Sequence, residues 1–176
     1  MEESFVQNSA LVVIDLQNDI TKNYREIIEN VNAAIDRAVQ EGLWVVYIRH
    51  NNLSDGARTF KPGTHGAELV PEMKVVSDHI FTKSKSSALT NEKFAAFIQE
   101  NGIDEFYIAG ADAAACVKST CYNMTKAVIP FMCCRTASRA TTKRRCQSCL
   151  RITKARDAPL RRFAKPCRRK IPETSS

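Results

Sequence analysis

Three residues of this chain carry chemistry at places where a fold could use it: Asp15, Lys83 and Cys116. Cys116 follows Ile108-Ala109-Gly110-Ala111-Asp112-Ala113-Ala114-Ala115, which reads as a short strand, a tight glycine turn and the first turn of a helix. The unpaired N–H groups and dipole of a helix start are expected to lower the pKa of a thiol there, making Cys116 a nucleophile. The competing reading of the same stretch is a buried structural cysteine. Asp15 closes an apolar run and could take the thiol proton and later pass it to a leaving amine. Lys83 would favour the thiolate by its charge. Backbone N–H groups around Asp112 and Cys116 could hold a developing oxyanion. Such a set performs acyl transfer to sulfur followed by hydrolysis of the thioester. Taken singly, each group has a plainer reading: a strand-end Asp caps a turn, and Lys83 is a solvated lysine with Lys85 as a rival.

The elements around these residues decide whether they can meet. Ala10-Leu11-Val12-Val13-Ile14 is a continuous apolar run, as expected of a buried parallel strand. From Tyr24 to Glu41 the apolar residues Ile27, Ile28, Val31, Ala34, Ile35, Ala38 and Val39 recur with a helical period, and Gly42 closes the helix. Leu43-Trp44-Val45-Val46-Tyr47-Ile48 reads as a second strand. Arg49 to Val76 is polar and rich in glycine and proline, a loop long enough to suggest a functional role. His79-Ile80-Phe81-Thr82-Lys83 reads as a third strand, and Thr90 is expected to cap a helix over Asn91–Asn101. Glu105-Phe106-Tyr107-Ile108-Ala109 is a fourth strand, followed by a helix over Ala113–Ala127. Alternating strands and helices predict an α/β fold of three layers, α/β/α, with a mostly parallel sheet. Ligands of such sheets bind beyond the carboxyl ends of the strands, where Asp15, Lys83 and the turn before Cys116 all fall.

Four ordered stretches carry a family resemblance. Leu11-Val12-Val13-Ile14-Asp15-Leu16-Gln17-Asn18-Asp19, Pro62-Gly63-Thr64-His65-Gly66-Ala67-Glu68-Leu69, Lys83-Ser84-Lys85-Ser86-Ser87-Ala88-Leu89 and Gly110 to Val117 resemble the motifs of the isochorismatase-like cysteine hydrolases, which include nicotinamidases and N-carbamoylsarcosine amidase. The resemblance covers residues 10–127. It implies Asp15 as proton acceptor, Lys83 as electrostatic support and Cys116 as nucleophile, and the spacing to Ser87-Ala88 selects Lys83 over Lys85. It also implies a cis peptide between Ala111 and Asp112. Gln17, His50 and Asp112 are the expected substrate-binding residues, with a structural role as the alternative for His50. Ala113 stands where the family often has Thr, and Asp112 is an unusual charge beside the expected oxyanion hole; both bear on the substrate. Isochorismatases proper lack the cysteine, so Cys116 favours amide chemistry. Metal-dependent nicotinamidases carry an Asp-x-His…His cluster after the second strand. Here Arg49-His50-Asn51-Asn52 stands in that place, so no metal and no cofactor are expected. The implied activity is cleavage of a small amide or carbamoyl compound.

With 176 residues, 44% hydrophobic and 26% charged, the composition is that of one soluble globular domain. No apolar run has the length of a membrane span, and the acidic start lacks a signal-peptide pattern. A cytoplasmic location, reduced cysteines, a small-molecule substrate, no membrane partner and a possible homo-oligomer are the corresponding expectations.

The net charge of +7 hides a break in the chain. Residues 1–127 hold 12 Lys and Arg against 17 Asp and Glu, whereas residues 128–176 hold 14 against 2 and five of the seven cysteines. This gives two segments: residues 1–127 as an incomplete hydrolase domain and residues 128–176 as a basic, Cys-rich tail. Three readings of the tail compete. A nucleic-acid or acidic-partner binding tail has arginine pairs but almost no aromatic residues for stacking, so a nucleic-acid partner is not favoured. A zinc knuckle has Cys146-Gln147-Ser148-Cys149 but no second pair at normal spacing. An out-of-frame translation has more support. Permitted codons for Val128 to Arg145, read with one G restored in front, begin Gly-Tyr-Thr-Val-His-Val-Leu-Ser-Asp, a glycine-led alternating strand where one is missing. On that reading the C-terminal strand and helix of the fold are lost or disordered and activity is impaired. A non-enzymatic protein acting through its basic tail is the alternative function.

Overall fold

The strands of the central sheet form where the apolar runs lie. In the computed structural model of the chain, which describes residues 8–22, 25–111 and 115–126 and the backbone of 131–139, Ser9–Ile14 is β1, Trp44–His50 is β2, Ile80–Lys83 is β3, Glu105–Ala111 is β4 and Phe131–Arg139 is β5. They form one sheet in the order β3-β2-β1-β4-β5, every pair parallel. The register sets Ile14 beside both Ile48 and Gly110, and His50 beside Lys83. The carboxyl ends of β1 to β4 therefore meet at one edge, with the chain departing in opposite directions on the two sides of β1.

Helices cover both faces, in the three layers expected. The helix Glu26–Gln40, labelled α2 after the single turn α1 at Asn18–Thr21, buries Ile27, Ile28, Val31, Ile35 and Ala38. They pack against Leu11, Val13, Val45, Tyr47, Tyr107 and Ala109. On the opposite face α3 (Glu92–Glu100) and α4 (Cys116–Lys126) supply Phe94, Ile98, Val117 and Met124 against Ala10, Val12, Ile14, Val46, Ile48, Phe106 and Ile108. Each large side chain fully buried here contributes roughly 1.5–3 kcal/mol. The cap of α3 is Asn91 and not Thr90: Asn91 Oδ1 accepts the Phe94 N–H at 2.8 Å, while Thr90 Oγ1 donates to Ser87 O at 2.7 Å inside a preceding 3₁₀ turn.

β5 corrects the expectation that the C-terminal strand is lost. The open edge of β4 presents unpaired ladder groups that an extended segment can satisfy, and 131–139 pairs there. Its pairing is irregular: Cys133 lies opposite Ile108 but Ser138 opposite Gly110. Residues 140–176, which hold most of the basic tail and its Cys146–Cys149 pair, lie outside the described residues. Among the described residues no helix is long and apolar enough to cross a membrane.

Candidate active site

Asp15, Lys83, His50 and Cys116 converge at the sheet edge where the strand ends meet. Asp15 follows β1 with φ +56°, a left-handed conformation that Asp tolerates better than most residues. This breaks the strand alternation at the point where the carboxylate leaves the ladder, and the Asp15 N–H donates to Ile48 O at 2.9 Å. Lys83 ends β3, and Nζ donates to Asp15 Oδ2 at 2.9 Å with the side chains 0% and 2% exposed. A lysine this buried requires its counter-ion. Asp15 Oδ1 has no hydrogen-bond partner among the described residues, so the carboxylate keeps a free acceptor in a buried place. Lys83 Nζ lies 3.3 Å from His50 Nδ1 at the end of β2.

Cys116 opens α4, half-buried beside this pair. Gly110 lets β4 come close enough to carry that helix to the site: with φ +150°, a Cβ there would lie 2.1 Å from Ile14 O. Thr120, fully buried, fixes the helix to the segment after β3. Its Oγ1 donates to Cys116 O at 2.9 Å and accepts the Ala88 N–H at 3.0 Å.

The thiol pKa goes the opposite way to the expectation from the helix start. Burial, then the charge of Asp15, push Cys116 up to about 12, with Lys83 opposing. The reason is local: Lys83 is already neutralised by Asp15, and the sulfur has lost water. At rest Cys116 is therefore a thiol, and its activation falls to a base. Burial, then the Lys83 charge, pull His50 below the usual histidine value, with Asp15 opposing. His50 is accordingly neutral at pH 7.

Gln17 is closer to the backbone than to any open space. Fully buried, it donates from Nε2 to His50 O at 2.9 Å and to Ala67 O at 2.7 Å, and its Oε1 accepts the His50 N–H at 2.7 Å. The whole amide is spent on holding β2 and the loop, a positioning task in place of the expected substrate contact. Its neighbours do likewise: Asn18 Nδ2 donates to His65 O at 2.9 Å, and Asp19 Oδ2 accepts the Phe60 N–H at 2.7 Å. Asp19 also packs on Gly66, where a Cβ would lie 2.3 Å from its carboxylate. The Gln17-Asn18-Asp19 triplet thus latches the long loop over the site. Asp112 and its peptide bond to Ala111 lie outside the described residues.

Two residues escaped sequence reasoning. Phe60 stacks edge-on against His50, with ring centroids 5.4 Å apart at 85°. Its signal was being the lone aromatic residue in the polar loop. Thr120 gave no signal, since a threonine inside a helix is ordinary. The residues do not fit the metal site of metal-dependent nicotinamidases: His50 Nδ1 faces an ammonium, and His65 is exposed and pairs with Glu68. Among the described residues no three His, Cys, Asp or Glu side chains cluster as metal ligands.

Comparison with known proteins agrees with the fold. The isochorismatase domain family matches residues 9–127. An Arabidopsis thaliana protein named "Probable inactive nicotinamidase" is 28% identical, over 66% of this chain and 72% of its own. Nicotinamidase 3 of the same plant is 24% identical, over 64% and 63%. The crystal structure of N-carbamoylsarcosine amidase from Thermoplasma acidophilum superposes with a TM-score of 0.67 at 23% identity, covering 75% of this chain and 84% of that one. With two-thirds of its length matched by the family and the α/β/α fold in place, this chain belongs to the isochorismatase-like hydrolase family.

Proposed function

We propose that the chain is a cysteine hydrolase acting on a small amide or carbamoyl compound, with Cys116 as nucleophile, Asp15 as general base and acid, and Lys83 as the cation that pairs with Asp15 and orients it. The observation that carries this reading is the buried Asp15–Lys83 pair at 2.9 Å, with both charges acting on the Cys116 thiol. A carboxylate with one oxygen held by lysine and the other free is placed to accept a proton. As Sγ attacks the carbonyl carbon, its proton passes to Asp15. The tetrahedral oxyanion is stabilised by N–H groups at the start of α4. Collapse expels the amine, which takes the proton from Asp15 and leaves a thioester. Asp15 then deprotonates the attacking water, and collapse returns that proton to sulfur with release of the acid. No step routes a proton through Lys83.

Ammonia release from a panel of small primary amides and carbamoyl compounds tests the reading. Turnover lost in Cys116→Ala supports it; ammonia release surviving in that variant sinks it. A second reading, a retained fold without turnover, is favoured by one observation: the 28% identical plant relative bears the word inactive in its name. Absence of turnover across the panel, with a folded chain, selects it. We further propose that residues 128–176 are an out-of-frame translation, supported by the abrupt change in charge and by the irregular pairing of β5.

A further inference from the structure

We propose that His50 is a positioning residue for this site, an uncharged acceptor that holds the Lys83 ammonium in place through Nδ1; the inference rests on the cysteine-hydrolase reading above. Lys83 can only donate, so at 3.3 Å Nδ1 must accept. A neutral imidazole that accepts at Nδ1 carries its proton on Nε2. The surroundings hold the ring in that role from several sides. The register sets His50 directly beside Lys83 on the same face of the sheet. Its backbone N–H and carbonyl are both bound by the Gln17 amide. The ring edge rests on Phe60, whose own N–H is held by Asp19 and whose carbonyl accepts from Asn52 N–H at 2.9 Å.

The ammonium then has two fixed acceptors, Asp15 Oδ2 and His50 Nδ1. That fixes the geometry of Asp15 and leaves its Oδ1 to the thiol. The groups facing His50 are Lys83 from β3, Asp15 beyond β1 and the uncharged Phe60 against its ring, with Gln17 on its backbone. Protonation of His50 would set two cations against each other, withdraw the acceptor and release Lys83. Burial and Lys83 together draw that event below the ordinary histidine range, so acid loss of activity is assigned to this contact.

The test uses the full chain. In ¹⁵N-labelled protein at pH 7.5, His50 Nδ1 should resonate as an unprotonated nitrogen and Nε2 as a protonated one, with the bias lost in Lys83→Met. Protonated Nδ1, or a bias unchanged in Lys83→Met, overturns the proposal. This readout needs no turnover, so it stands apart from a failure of the amidase reading. Where turnover is measured, His50→Leu should lower kcat by about 10- to 100-fold with little change in KM, as expected for losing a bond to a charged group. His50→Asn, whose Oδ1 falls near the position of Nδ1, should recover at least about tenfold of that loss and move the acid limb of the kcat profile to lower pH. Equal losses in the two variants, or an unmoved acid limb in His50→Asn, overturn it.

Discussion

At the residue scale, the site is an ion pair that would be unstable in halves. Removing one partner of a buried pair leaves an uncompensated charge, at a cost of about 3–5 kcal/mol. Asp15→Asn and Lys83→Met should each destabilise by that order in urea melts, and the double variant should be markedly more stable than the sum of the two losses predicts, since neither charge is then stranded. Additive losses would mean that Asp15 and Lys83 do not sense each other. The thiol follows from the same burial. With its pKa pushed up to about 12, the resting thiolate fraction is small at neutral pH and rises about tenfold per pH unit. Alkylation of Cys116 by iodoacetamide should therefore keep accelerating between pH 7 and 9.5, and a plateau below pH 8 would contradict the buried-thiol picture. The linkage sign agrees: the folded chain holds this proton more tightly than the unfolded chain, so stability is lost as pH rises from about 9 towards 12.

At the element scale, the edge works because four strand ends are brought level. Gly110 is the position where this is tightest: a methyl group would meet Ile14 O at 2.1 Å, one residue before Asp15. Gly110→Ala should cost about 2–4 kcal/mol through strain and overpacking, and lower turnover by moving Asp15 away from α4. A folded variant with wild-type stability would show that β1 and β4 can separate there freely. Much of this arrangement was legible in the residues. The runs 10–14, 43–48 and 106–109 are continuous apolar segments, as a strand covered on both faces uses; Asp15 and His50 come at or just after the ends of two of them and Cys116 follows the third by way of the Gly110 turn, whereas Lys83 ends the short mixed segment 79–83. What escaped was set by contacts distant in sequence. The helix start above Cys116 promises a lowered thiol pKa, but it does not reveal that Lys83 is already engaged by Asp15. Gln17 looks like a polar loop residue facing a ligand, and only the register of β2 shows that its amide is consumed by His50 and Ala67. Thr90 and Asn91 are both good caps by composition, and the 3₁₀ turn before α3 decides between them.

At the scale of the whole molecule, the question is what closes the sheet on the β4 side. β1 pairs with β2 and β4 residue for residue. β5 does not: two positions along β4, from Ile108 to Gly110, span five along β5, from Cys133 to Ser138. Composition hid this strand, because an open edge recruits backbone groups whatever side chains accompany them, and Arg135, Arg139 and the cysteines give no alternating pattern. A segment shaped for that edge would pair one for one, as the Gly-Tyr-Thr-Val-His-Val sequence of the shifted frame could do. Restoring one base before codon 128 should therefore yield a chain that unfolds several degrees higher, since about 1 kcal/mol moves the midpoint of a domain of this size by roughly 2–4 °C. It should also aggregate less, because a regular strand leaves less of the β4 ladder unpaired. Sequencing the gene through codons 120–140 should show a single-base deletion. An uninterrupted gene, or a restored chain no more stable than this one, would mean that the irregular β5 is the strand this sheet was built to carry.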